Sequence, residues 1–160
     1  MKTVAIDSST KKTGMALFEN GELLDHLLID LSKFKGYADE RMIEMARQIT
    51  SQIGFWYDVS LIYMEEPDGQ SGNVNVYRML SEIIGMVKFW ADQWHIPVEE
   101  VKPSVWRKHC GIKQGGKKRD ELKAESVAFV KKAFDIDVGD DEADAICLGI
   151  AMMNCGGIHA

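Results

Sequence analysis

Asn20-Gly21 stands between two largely apolar runs, Gly14 to Glu19 and Glu22 to Asp30, and this dipeptide limits the fold more than any other feature. Both turn residues tolerate positive φ, which a two-residue turn between antiparallel strands demands. A third run, Thr3 to Asp7, precedes them across a polar Ser/Thr/Lys loop. The three strands form an antiparallel meander. Ala38 to Ile53 carries Met42, Met45, Ala46, Ile49 and Ile53 at helical spacing, so a helix packs its apolar stripe on that sheet. Ser60 to Glu65 reads as a fourth strand, and a helical crossover permits it to lie parallel to the first.

A second helix is predicted from Val74 to Trp94, where Leu80, Ile83, Ile84, Val87 and Trp90 recur at helical intervals, followed by a fifth strand from Pro97 to Val101. Beyond Pro103 come a short helix from Val105 to His109, a Gly115-Gly116 break, a long basic helix from Lys117 to Phe134, and a last helix from Asp140 to Met153. The class is α/β, a mixed five-stranded sheet flanked by helices. With 160 residues, 46% of them apolar, the chain has material for one core, and residues 1–160 are read as a single domain. No apolar run approaches membrane-spanning length and no leader follows Met1, so an intracellular, cytoplasmic protein is expected. Cys110, Cys147 and Cys155 show no paired spacing, and a zinc site built from His109, Cys110, Cys155 and His159 would have ragged spacing. Idle thiols are the expectation.

The net charge of -6 conceals a segregation of sign. Between Lys102 and Lys132 lie ten basic and three acidic residues, a net +7, against -13 for the remainder. An acidic body carrying one basic stretch suits a polyanion-binding surface beside a carboxylate-rich site, although a solvated helical face has the same composition. Arg107, Lys108, Lys113, Lys117, Lys118 and Arg119 are the candidate phosphate contacts. Lys117, Lys118 and Arg119 at a helix start oppose the helix dipole, which phosphates would offset.

Three acidic elements bear on chemistry. Asp7 ends the first apolar run, where α/β folds place their sites, yet a lone Asp there serves equally as a turn former. Glu65-Glu66 ends the fourth strand, and strand alternation lets only one of the pair face Asp7. Asp144 sits a turn inside the last helix among Ala143, Ala145, Ile146 and Cys147, where an unpaired carboxylate is costly, and Asp141 shares its face. Like charges so gathered persist where a cation neutralises them, and hard oxygen ligands suit magnesium or manganese, with two ions able to drive phosphodiester hydrolysis. No nucleophile elbow, Cys-His signature or P-loop is present in the sequence.

Val4-Ala5-Ile6-Asp7-Ser8-Ser9, Ile62-Tyr63-Met64-Glu65-Glu66-Pro67 and Asp141-Glu142-Ala143-Asp144-Ala145 resemble the corresponding motifs of RuvC-type Holliday junction resolvases, and of their small phage members in particular. The resemblance implies an RNase H-like fold and catalytic metal ligands Asp7, Glu65, Asp141 and Asp144. It also implies two Mg2+ or Mn2+ ions and a homodimer nicking opposed strands of four-way DNA junctions. The segment Asp68-Gly69-Gln70-Ser71-Gly72-Asn73 lacks the aromatic wedge of such enzymes, and Tyr77 is the nearest aromatic. Trp106 is open between base stacking and a core role. Competing readings are an idle nucleic-acid-binding module of the same fold and a nuclease of broader branched-DNA or RNA-DNA hybrid specificity. A phosphotransferase of the actin and sugar-kinase type would need a second domain.

Overall fold

The computed structural model describes residues 1–67 and 73–154. The segment from Asp68 to Gly72, and Cys155 and His159, lie outside the described residues. Strands β1 (Lys2–Asp7), β2 (Lys12–Glu19) and β3 (Glu22–Asp30) form the meander, with positive φ at both Asn20 (51°) and Gly21 (93°). After helix α1 (Ala38–Trp56), strand β4 (Val59–Glu65) pairs parallel to β1, with Ile6 opposite Met64. Helix α2 (Val74–Gln93) leads to β5 (Val98–Val101), parallel to β4, giving a mixed sheet of order β3-β2-β1-β4-β5.

Helices cover both faces, which is why the central β1 reads as an apolar run rather than an alternation. On one face Val4, Ile6, Met15, Ile62 and Met64 pack against the stripe of α1 and against Ile83, Ile84 and Val87 of α2. On the other, Ala5, Ala16, Phe18 and Tyr63 meet Trp106 of α3 (Pro103–His109), Val130 of α4 (Arg119–Phe134) and the buried body of α5 (Asp140–Asn154). Small residues at Ala5 and Ala16 leave room for α5 to lie close to the sheet. Gly14 leaves more, because a Cβ there would stand 1.9 Å from the backbone oxygen of Asp141.

Two helix starts differ from the sequence expectation. Helix α3 begins at Pro103, since proline at the first helical position lacks only an N–H that has no helical partner. Helix α4 begins at Arg119, not Lys117, because the Lys118 N–H is held by the Glu121 carboxylate at 2.7 Å. Asp120 and Glu121 in the first turn answer the dipole, and Lys117 is paired with Glu125. The three cations therefore do not burden the helix start, and no phosphate is needed there to offset them. Among the described residues no helix is long and apolar enough to cross a membrane.

Candidate active site

Parallel pairing of β1 and β4 carries their carboxyl ends to one edge of the sheet, so Asp7 and Glu65 terminate neighbouring strands. The first turn of α5 crosses the same edge, held down where Gly14 admits the Asp141 backbone. These elements wall a cleft of about 970 Å³. Asp7, Glu65, Asp141 and Asp144 all line it, with Ser8 and Ser9 from the β1–β2 loop and Tyr77 and Leu80 from α2. Ser9 Oγ accepts from the backbone N–H of Lys11 and of Lys12, and Arg41 Nε donates to the Thr10 carbonyl at 2.8 Å, so the loop is tied at several points.

The electrostatics are those of crowded acids in a low-dielectric wall. Burial pushes the Asp7 carboxyl well above the usual carboxylate range, and the charges of Glu65, Asp144 and Asp141 push it further. Glu65 is raised to about 7, chiefly by burial, against the downward pull of Arg107 and of a hydrogen bond from Trp106. Asp144, 3% exposed, is raised by burial despite a bond to Ser126, and its Oδ1 is buried without a partner. Asp7 and Glu65 close neighbouring parallel strands and line the same cleft. Glu66 also lines the cleft, and its backbone N–H is spent on the Val101 carbonyl.

Lys123 was not singled out from the sequence. Its Nζ lies 2.8 Å from both Asp140 Oδ2 and Asp141 Oδ1. Burial works against its charge, but those carboxylates outweigh it and the pKa is raised. A weak signal was available, since Lys123 lies four residues after Arg119 and shares its helix face. Both line the cleft, as do Arg107 and Lys102. Of the other expected phosphate contacts, Lys108, Lys113 and Lys118 are exposed outside the cleft lining, and Lys117 is half-buried against Glu125.

As the side chains stand, no three His, Cys, Asp or Glu groups among the described residues converge closely enough to hold one divalent cation. Asp141 Oδ1 is occupied by the Lys123 ammonium and Glu65 Oε2 by the Trp106 N–H. The donor set nevertheless fits: four hard carboxylates, three of them kept from ready ionisation, with one buried oxygen lacking any partner and a lysine supplying positive charge at one side. Glu65→Gln is expected to lower any hydrolytic activity of this cleft at least about a hundredfold, whereas Glu66→Gln should stay near wild type. Assaying the two variants side by side checks the register, and the reverse ranking would show it displaced by one residue.

An acidic cleft at the carboxyl edge of a mixed five-stranded sheet, with helices on both faces, defines an RNase H-like α/β protein. Among solved structures, the chain is similar to Thermus thermophilus RuvC in complex with a Holliday junction substrate (TM-score 0.73, 15% identity, covering 98% of this chain and 96% of that one). It is also similar to the yeast mitochondrial Holliday junction resolvase Ydc2 (TM-score 0.62, 14% identity, 94% and 77%). A third likeness, to the complex of Cas12f1 with guide RNA and target DNA, has a TM-score of 0.52 at 12% identity and covers 92% of this chain but 38% of that one. No family model matches the sequence, and no curated protein matches it. At these identities the likeness is one of fold, and the fold is that of RuvC.

Proposed function

We propose that the protein is a divalent-metal-dependent endonuclease that cuts DNA, acting as a homodimer on four-way junctions inside the cell. The observation that carries this reading is the gathering of Asp7, Glu65, Asp141 and Asp144 in one cleft, with Asp144 Oδ1 buried and unpartnered. Similarity in fold to a RuvC bound to a junction, over nearly the full length of both chains, supports the choice of DNA.

Mg2+ or Mn2+, two ions per site, would be held by the four carboxylates and would supply water activation and stabilisation of the leaving oxygen. The remaining work falls to the chain's own groups. Arg107 lines the cleft wall, and its guanidinium is suited to a phosphate oxygen. Ser8, which lines the same cleft, adds a hydroxyl. Arg119 and Lys102 extend the positive rim along which a sugar-phosphate chain can run, and Lys123 keeps Asp141 in place between substrates. For the second copy of the chain, the groove between α1 and α2 offers Ile43, Met86 and Phe89, with Phe89 71% exposed.

Incubation with a synthetic four-way junction, a linear duplex and an RNA-DNA hybrid, with and without Mg2+, tests the reading. Paired nicks in the junction that require the ion support it. Junction binding without cleavage would identify an idle binding module, and cutting of the hybrid alone would move the substrate to RNA-DNA. In the metal-free protein, replacing Arg107 and Arg119 together with alanine should weaken junction binding and flatten the plot of log affinity against log salt by up to roughly two units. The same replacement of Lys117 and Lys118 should change the slope less, because Lys117 is already neutralised by Glu125.

A further inference from the structure

Trp106 is 0% exposed, so no nucleobase reaches its ring and the base-stacking role is excluded. Its one polar atom, the indole N–H, points the other way, across the β4–α3 boundary, and donates to Glu65 Oε2 at 2.8 Å. We propose that Trp106 is a positioning residue for Glu65, fixing that carboxylate in the orientation that receives a divalent cation; this rests on the nuclease reading above.

A glutamate has three rotatable bonds and loses rotamer freedom when ordered, so a ligand of this type is weak unless something else holds it. Tryptophan has two rotatable bonds, and here the ring is fully buried in the core cluster that also holds Tyr63, Val101, Ile112 and Cys147. Indole is a donor only. It therefore commits one oxygen of Glu65 without competing for the cation or accepting a proton, and leaves the other oxygen to the cleft that Glu65 lines. The same ring carries the Arg107 guanidinium, whose Cζ lies 4.8 Å from the ring centroid. One buried side chain thus sets the relative placement of a carboxylate and of the guanidinium suited to the phosphate. A tryptophan that merely filled the core would need some hydrogen-bond partner, but a backbone carbonyl would satisfy it equally well.

The test compares wild type with Trp106→Phe and with site-specific benzothienylalanine at position 106, which keeps the shape of the ring and replaces its N–H by sulphur. Three quantities are measured: Mn2+ affinity by electron paramagnetic resonance, metal-free junction affinity, and the Trp106 indole signal by NMR. The expectation is a loss of Mn2+ affinity of about ten- to a hundredfold in both variants. Cleavage should recover at high Mn2+, junction affinity should match wild type in the benzothienyl variant, whose ring face still carries Arg107, and the indole signal should move in Glu65→Gln but not in Glu66→Gln. If the benzothienyl variant binds Mn2+ as wild type does, or the indole signal ignores Glu65→Gln, Trp106 only packs and the proposal is overturned. If wild type itself takes up no Mn2+ that Asp144→Asn abolishes, the nuclease reading fails and takes the proposal with it, while the indole signal still reports the contact separately.

Discussion

Asp144→Asn is expected to lower junction cleavage at least about a thousandfold and, without divalent ions, to melt higher than wild type. The two effects share one cause. On the proposed reading, the Asp144 carboxylate would be a ligand in a site whose cations would supply several kcal/mol of transition-state stabilisation, each 1.36 kcal/mol being about tenfold in rate. As a buried charge without a cation it is a liability, raised in pKa by burial and left with Oδ1 unpartnered. Asparagine keeps the shape and removes the charge.

The sign of the pH dependence follows. For Asp7, Glu65 and Asp144 the folded-state pKa lies above the unfolded value, so between the two values the native state binds more protons and stability falls as pH rises. With Glu65 raised to about 7, the window runs from the ordinary carboxylate range up to neutrality. In EDTA the wild-type Tm should therefore decline across that window. Added Mg2+ should oppose the decline, since an ion that binds only the native state stabilises it. Asp144→Asn should flatten the decline and raise Tm at neutral pH by a few °C, each kcal/mol being about 2–4 °C for a domain of this size. Thermal melts at several pH values check this. A variant that is inactive but melts lower than wild type at every pH would show that Asp144 is held by the fold rather than by a cation.

The parts of this architecture that were legible in the sequence rest on local rules. Asn20-Gly21 announced its hairpin because positive φ at both positions is a property of the dipeptide itself. The carboxyl ends of β1 and β4 could be read from apolar runs that stop at Asp7 and at Glu65, and Asp144 stood out because its neighbours are apolar. What was illegible is tertiary. Lys123 looked like one lysine in a basic helix, and only the packing of α4 beside α5 brings it to Asp140 and Asp141. Trp106 gave no sign that its N–H would meet a residue 41 positions earlier. The start of α4 is illegible for a different reason: the charge run begins at Lys117, while the helix is capped by the short-range bond from the Lys118 N–H to Glu121.

Gly14 carries a consequence that composition alone never suggests. It lies on β2 opposite Asp7, and a Cβ there would fall 1.9 Å from the Asp141 carbonyl oxygen, 2.4 Å from its carbon and 2.8 Å from the Glu142 nitrogen. All three are backbone atoms of the first turn of α5, so no side chain can swing aside. The helix itself must lift from the sheet by something on the order of 1 Å, and overpacking of that kind costs about 1–3 kcal/mol. The lift carries Asp141 away from Asp7 and Glu65, and a 1 Å misplacement of a catalytic group costs roughly a hundredfold in rate. Gly14→Ala is therefore expected to lose both stability and cleavage while still binding the junction through Arg107 and Arg119, which belong to other elements. Gly54→Ala is the matched control: it lies within α1, the nearest atom to its added Cβ is Trp90 Cζ2 at 4.0 Å, an ordinary contact, and alanine there should be neutral or stabilising by up to about 1 kcal/mol. Thermal melts and cleavage rates of the two variants decide the matter, and a Gly14→Ala protein that melts and cuts as wild type does would mean that α5 does not sit on β2 as closely as described.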